Sequence, residues 1–289
     1  MRKLLNIFAL AAMAMTGGHS VAQEAPKPLF DYPLAPDTCS TLESRSNYVI
    51  THFWDSFDLT KPISDDLSLI KTFRDYADLF KYGHRTVVMS GIRDFMFKLR
   101  GNATNLSKVG RVAEAVLYGP MADYWSDEVY VEFAKSLAAA TVLKKEEREY
   151  YQRQIGLISL CQEGMPLNIE FTDATSGAKT KLADVPGKLF LVVFMNDGVD
   201  SSIDRTRLVT DVTLEQIVNE GQITVVCLNE GQPAGDWAAS MPEKWVKGYG
   251  TKWASQLDLR AIPGCYMLDG EHKIMHKNIT VADFKAALE

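Results

Sequence analysis

Apolar and polar residues follow a helical period through the first half of the chain. Over residues 41–163 apolar side chains recur every three or four positions, and short polar segments, several with glycine, separate the runs. The run "SDDLSLIKTFRDYADLFKYG" opens on a Ser-Asp-Asp capping signal and ends at Gly83, and Ser126 is predicted to cap a later helix. This period is typical of amphipathic helices. It predicts five or six helices joined by short loops, an all-α helical domain over 41–163.

The pattern changes in the second half of the chain. Residues 166–182 alternate and turn, which predicts a β-hairpin. Two short continuous apolar runs, "KLFLVVFMN" and "ITVVCLNEG", are typical of strands buried on both faces. Helices are predicted over 202–221 and 243–257, and a second hairpin around Asp269-Gly270 precedes a last helix. The order β–α–β–α–β–β–α predicts an open α/β sheet.

The N-terminal residues carry a different signal. Arg2 and Lys3 precede the apolar run "LLNIFALAAMAM", and "SVA", ending at Ala22, is a small-x-small cleavage site. The pattern is typical of a secretory signal peptide over 1–22, with a retained membrane anchor as the alternative. Residues 23–40 contain four prolines and are predicted to form an extended lead-in. We therefore expect a soluble protein, periplasmic or secreted, without a transmembrane segment once the signal peptide is removed.

Charge and cysteine spacing narrow the classes of function. The formal net charge is −6 and no basic patch stands out, so we expect no nucleic-acid partner. The four cysteines, Cys39, Cys161, Cys227 and Cys265, form no CxxC, which excludes the usual dithiol motif and a local zinc knuckle. Free buried thiols are expected, with a Cys39–Cys161 disulfide as the alternative. The histidines show no metal-type spacing, and we expect no metal and no cofactor.

Several stretches resemble known families. "FLVVF" and "AIPGCYMLDG" are similar to the central strand and the cis-proline loop of the thioredoxin fold, and "PLNIEFTDATSGAKTKLADVPGKLFLVVF" resembles the entry of its TlpA-like periplasmic branch. The resemblance covers 164–289 and implies a thioredoxin-like domain with a cis bond at Ile262–Pro263. "HFWDSFDL", "AEAVLYGPMADYWSDEVYVEFAKSL" and "REYYQRQIGLISLCQEGMPLNIEF" resemble an uncharacterised helical domain of exported Bacteroidetes proteins, typically fused ahead of a thioredoxin-like domain. That domain brings no established activity.

The thioredoxin-like resemblance implies two cysteines that this chain lacks. Aligned on Phe194, their positions fall on Val199 and Ser202, and a buried acid that often assists the dithiol falls on Val193. No cysteine occurs anywhere in 189–226, so a shifted alignment does not restore the pair. The chemistry needs a thiolate with a lowered pKa and a second thiol to resolve the mixed disulfide. Neither valine nor serine supplies either, which predicts the loss of dithiol chemistry.

A candidate groove remains at this face of the domain. Val199 and Ile262 would give it an apolar floor, the acidic and hydroxyl residues a polar wall, and Pro263 a backbone edge for an extended chain. The groove candidates are Asp197, Asp200, Ser201, Ile262, Pro263 and Cys265. Ser201 and Ser202 are also candidates to cap the helix that follows, and Trp237 and Trp245 are candidates to rim the groove.

Two classes of function fit these observations. The first is an exported, non-catalytic binding or scaffold module of the cell envelope, whose partner is an envelope protein, a peptide or a small ligand. The alternative is a monothiol redox protein using Cys265, or another envelope enzyme related to thiol-disulfide oxidoreductases.

Overall fold

The computed structural model describes residues 26–286 apart from Ala234 and Asp236. The signal peptide predicted over 1–22 and the first residues of the lead-in lie outside the described residues. Residues 26–41 contain no helix or strand. An all-α part and then an α/β part follow, which confirms the predicted two-domain fold class.

Six helices make up the first part of the described chain. They are α1 (Leu42–His52), α2 (Asp66–Asp78), α3 (Arg85–Leu99), α4 (Ala103–Leu117), α5 (Asp127–Ala139) and α6 (Lys145–Leu160). Two predicted helix caps, the Ser-Asp-Asp signal before α2 and Ser126 before α5, are confirmed. Asp65 accepts hydrogen bonds from the N–H groups of Leu67 and Ser68, and Ser126 accepts one from Val129. Such caps satisfy N–H groups that the first turn of a helix leaves without a partner.

The apolar faces of these helices meet in one aromatic-rich core. Trp54 stacks on Phe95 with 4.1 Å between ring centroids, and both side chains are buried. Removing a large apolar side chain from water stabilises the fold by about 1.5–3 kcal/mol. The helical period of the sequence therefore corresponds to the face that each helix buries.

The second part is a seven-stranded mixed sheet flanked by helices. Its strands are β1 (Glu170–Asp173), β2 (Lys179–Lys181), β3 (Leu189–Met195), β4 (Thr224–Glu230), β5 (Val246–Gly250), β6 (Gly264–Asp269) and β7 (Ile274–Ile279), in the order β2-β1-β5-β4-β3-β6-β7. β4 is parallel to β3 and β5, and the other pairs are antiparallel. The helices are α7 (Val199–Val209), α8 (Val212–Asn219), α9 (Trp253–Gln256) and α10 (Val281–Ala286).

The structure corrects two of the predicted helices. The helix predicted over 243–257 is wrong, because this segment forms strand β5 and only the short helix α9. A Cβ atom on Gly248 of β5 would lie 2.2 Å from the ring of Phe171, so the close approach of these neighbouring strands requires glycine there. The helix predicted over 202–221 is two helices, since Asp211 caps a new one by accepting a hydrogen bond from Leu214 N–H.

No helix among the described residues is both long enough and apolar enough to cross a bilayer. The same residues contain no group of three or more His, Cys, Asp or Glu side chains that could hold a metal ion.

Candidate functional site

The end of the central strand β3 defines the candidate site. Phe194 of β3 pairs with Gly264 of β6, which places Pro263 beside the last residues of β3. The Ile262–Pro263 peptide bond is cis. Val193, at the position where the resemblance implies an acid, is fully buried between its neighbours on β4 and β6. The segment Asp258–Pro263, which leads into β6, is called the proline loop below.

Helix α7 begins directly after β3 and presents free backbone N–H groups. Its N-cap is Gly198, and no side chain caps it. The predicted capping by Ser201 or Ser202 is therefore wrong. Ser201 Oγ instead accepts a hydrogen bond from Asn196 N–H at 3.0 Å and donates one to Asn196 Oδ1 at 2.9 Å. These two hydrogen bonds, on the buried side of α7, fix the turn between β3 and α7.

The structure exposes some of the predicted groove residues and buries others. Val199 is 75% exposed, and Asp197, Asp200 and Ser202 are exposed as well. Ile262 and Pro263 are half-buried. The prediction is wrong for two groove candidates, because neither is exposed. Ser201 is 1% exposed because it turns inward to Asn196, and Cys265 is fully buried inside β6. The surface made by Asp197, Val199, Asp200, Ile262 and Pro263 is called the binding face below.

All four cysteines are free, and three of them are buried. Val193 pairs with Cys227 on one side and Cys265 on the other, so two strand spacings, roughly 9–10 Å, separate these thiols. Burial raises the pKa of the Cys227 thiol to about 12 and that of Cys265 further still. Because the thiolate is the reactive form, neither group is suited to attack a disulfide.

Cys39 and Cys161 are also unbonded to each other. Cys161 belongs to the apolar core of the α/β part, where its Sγ accepts a hydrogen bond from Asp258 N–H at 3.4 Å. Burial raises the pKa of this thiol as well. Cys161 therefore contributes to packing beneath the proline loop.

A buried charged cluster beside the proline loop was not predicted from the sequence. Arg260 and Asp258 have side chains 1% and 0% exposed, and Arg260 Nη2 pairs with Asp258 at 3.4 Å and more closely with Asp127. Lys277 bridges the same two carboxylates, with Nζ 2.6 Å from Asp127 Oδ2. The Arg260 cluster, as we name it, comprises Tyr118, Trp125, Asp127, Asp258, Arg260 and Lys277.

Aromatic rings and a hydroxyl complete the Arg260 cluster. The Arg260 guanidinium carbon lies 4.1 Å from the ring centroid of Tyr118 and 4.2 Å from that of Trp125, both within cation–π range. The Tyr118 hydroxyl donates to Asp258 Oδ1 at 2.6 Å. Burial disfavours the ionised Asp258, but the charges of Arg260 and Lys277 outweigh it and hold the pKa of this carboxyl below its usual range.

Two cavities lie near these groups. One of about 860 Å³ lies between the two parts and includes Trp125, Asp127 and Lys277 in its lining. The other, about 330 Å³, lies beside the start of α7 and is lined in part by Asp197, Ser202 and Trp237. Both tryptophans predicted to rim a groove are buried in the core, and Trp237 also lines the second cavity.

Comparisons with known proteins identify both parts of the chain. A family model described as "Domain of unknown function (DUF5106)" matches residues 12–160. A thioredoxin-like protein from Bacteroides caccae has a similar structure, with a TM-score of 0.75 and 21% identity over 90% of this chain and 98% of that chain. No curated protein matches the chain.

Two further solved structures are similar to a smaller share of the chain. The C-terminal domain of an uncharacterized protein from Bacteroides fragilis is 22% identical over 44% of this chain and 97% of its own, with a TM-score of 0.40. The thioredoxin domain of a thiol-disulfide oxidoreductase from Bacteroides vulgatus is 20% identical over 44% and 99%, with a TM-score of 0.35. The likeness to the Bacteroides caccae structure confirms the predicted thioredoxin-like fold behind an uncharacterised helical domain.

Proposed function

The chain belongs to the DUF5106 family and carries a thioredoxin-like domain behind that module, and on this basis we propose that it is an exported binding or scaffold protein without dithiol chemistry. In this proposal 1–22 is the signal peptide, 23–40 the lead-in, 41–163 the helical domain and 164–289 the thioredoxin-like domain. The mature protein acts in the periplasm or outside the cell.

One observation carries the proposal: no thiol is exposed at the end of β3. The start of α7 reads Gly198, Val199, Asp200, Ser201, and none of these side chains can form a disulfide. Cys265, the thiol on which a monothiol mechanism would depend, is fully buried and its pKa is raised. The geometry therefore favours the binding module over the monothiol enzyme.

The binding face retains the features that shape and backbone pairing require. Val199 and Ile203 lie one turn apart on α7 and are 75% and 45% exposed, which gives the face an apolar ridge. Asp197 and Asp200 add negative charge beside it. Within the described residues, Ile262 has no backbone hydrogen bond, so its N–H and C=O are free to pair with an extended chain. These features fit an extended peptide with a small apolar residue over Val199 and a basic neighbour.

We predict that the purified protein does not reduce insulin disulfides. With a dithiol thioredoxin as positive control, the rate should equal that of buffer, because no exposed thiol lies at the start of α7. Native labelling with a maleimide should modify Cys39, which is partly exposed, and leave the three buried thiols unmodified until denaturation. Insulin reduction approaching that of the control, or rapid labelling of Cys265, would show that the redox alternative is correct.

We predict that Val199→Asp weakens partner binding without unfolding the protein. A partner identified by co-purification from envelope extract should lose affinity about tenfold or more, since the new charge lies at the centre of the binding face. Val212→Asp is the matched control. Val212 is 76% exposed and, like Val199, is the first residue of its helix, but on α8. If calorimetry gives both variants wild-type affinity, the partner binds elsewhere, and the helical domain becomes the better candidate.

A further inference from the structure

Three residues of the helical domain contact one residue of the proline loop. Tyr118, Trp125 and Asp127, from the end of α4 to the start of α5, enclose the guanidinium of Arg260. The Arg260 side chain is 1% exposed, so these contacts replace water almost completely. A buried guanidinium is costly unless its charge is balanced and its donors have partners.

The charges of the Arg260 cluster balance only when the helical domain contributes. The α/β part supplies Arg260, Lys277 and Asp258, which is two cations against one carboxylate. Asp127 of the helical domain is the second carboxylate and pairs with both cations. Arg260 Nε and Nη1 have no hydrogen-bond partner among the described residues, and the faces of Tyr118 and Trp125 lie over this group instead.

Backbone hydrogen bonds hold the proline loop at Asp258 and Arg260. The Arg260 N–H donates to Asn278 Oδ1 at 3.1 Å, and the preceding Asp258 is held through its N–H and C=O. Beyond Arg260, Ala261 and Ile262 form no backbone hydrogen bond among the described residues before β6 begins at Gly264. This free segment is therefore anchored on one side at Arg260 and on the other at Gly264, which pairs with Phe194.

We propose that the helical domain acts as a clamp on the proline loop. Tyr118, Trp125 and Asp127 fix Arg260, and Arg260 in turn fixes the free backbone of residues 261–263 at the binding face. The helical domain thus pre-organises the thioredoxin-like domain, which would lower the entropic cost of ordering that backbone when a partner pairs with it. The pre-organising role rests on the proposed function, whereas the fixing of the loop by the helical domain is tested in the absence of any partner.

Hydrogen–deuterium exchange of the full-length mature protein tests the clamp. Asp127→Asn should speed exchange of the Asp258 and Arg260 amides by about tenfold or more, because one carboxylate is left against two buried cations. Exchange in β3 and β4, at the centre of the same sheet, should not change. Trypsin should also begin to cleave after Arg260, whose side chain is buried in the wild-type protein. Trp125→Leu, which removes one ring from Arg260, should produce the same changes to a smaller extent.

Asp123→Asn is the matched control. Asp123 lies four residues before Asp127, between α4 and α5, but pairs with Arg74, inside the helical domain, at 2.6 Å. This variant should exchange like the wild type in the proline loop. The clamp is disproved if Asp127→Asn folds and leaves the Asp258 and Arg260 amides unchanged. It is equally disproved if exchange rises uniformly across both domains, since that result means general destabilisation.

Discussion

At the scale of single residues, the two facing positions at the start of α7 are 198 and 201. Each lies one residue before the position that the resemblance implies for a cysteine. Alignment placed the lost cysteines at Val199 and Ser202, but both side chains point to solvent. A Cβ atom on Gly198 would lie 2.8 Å from Asn196 Oδ1, and Ser201 Oγ lies 2.9 Å from the same oxygen. Side chains at 198 and 201 therefore converge on the Asn196 amide, one at the helix N-cap and the other buried beneath it, and this amide must shift to admit a side chain at 198.

We predict that Gly198→Cys with Ser201→Cys restores an oxidisable pair more fully than Val199→Cys with Ser202→Cys. Both pairs are three residues apart, but only the first converges, and disulfide geometry is strict about the distance and direction of the two Cβ atoms. The free N–H groups at the start of α7 also favour a thiolate at 198. The fraction oxidised in a glutathione redox buffer measures the difference. Equal oxidation of the two pairs would contradict the convergence.

At the scale of elements, the sequence predicted a helix or strand correctly where that element's own apolar pattern determines its structure. Helices α1–α6 follow from their apolar period, and β3 and β4 from their continuous apolar runs. Strand β5 was missed because Trp245, Tyr249 and Trp253 have helical spacing. Its structure depends on β4 and β1, which pair with it on either side, and on Phe171, which fills the space over Gly248. Contacts of this kind come from distant segments and leave no local pattern.

The candidate site likewise has one part that the sequence predicted and one part that it did not. Pro263, Val199 and the missing cysteines could be read from the sequence because they adjoin a strand and a helix with clear patterns. The Arg260 cluster could not, since its members come from separate segments and the hydrogen bond between Tyr118 and Asp258 spans 140 residues. Each member is an ordinary polar or aromatic residue in its own segment. Only the tertiary fold brings them together and buries them.

At the scale of the whole molecule, a polar contact links the two domains. Of the three buried apolar clusters of the described chain, one lies in the helical domain and two lie against the sheet, and Cys161 is the one residue of 41–163 that packs in a sheet cluster. The Arg260 cluster crosses between them, with two carboxylates and two cations in contact. Its energy depends on the ionised state of buried groups, so the contact between the domains should respond to acid.

We predict that Asp258→Asn flattens the loss of stability in acid. The folded pKa of Asp258 lies below the unfolded value of about 3.9, so the stability that its ionised form contributes is fully present above that pH. It is lost as the pH falls from about 4 through the folded pKa. Wild-type stability should therefore fall steeply in this window, whereas the variant is less stable at pH 7 and loses less. Urea unfolding at a series of pH values between 7 and 3 measures both curves.

The matched control for this prediction is Asp37→Asn. Asp37 is exposed and makes no side-chain hydrogen bond or ion pair among the described residues, so its variant should reproduce the shape of the wild-type curve. The gap between wild type and Asp258→Asn should narrow toward pH 3, because protonation removes from the wild type the same charge that the substitution removes from the variant. Parallel curves down to pH 3 would mean that the Asp258 carboxylate adds no pH-dependent stability. The contact between the domains would then depend on packing around Tyr118 and Trp125, and not on the balance of charge.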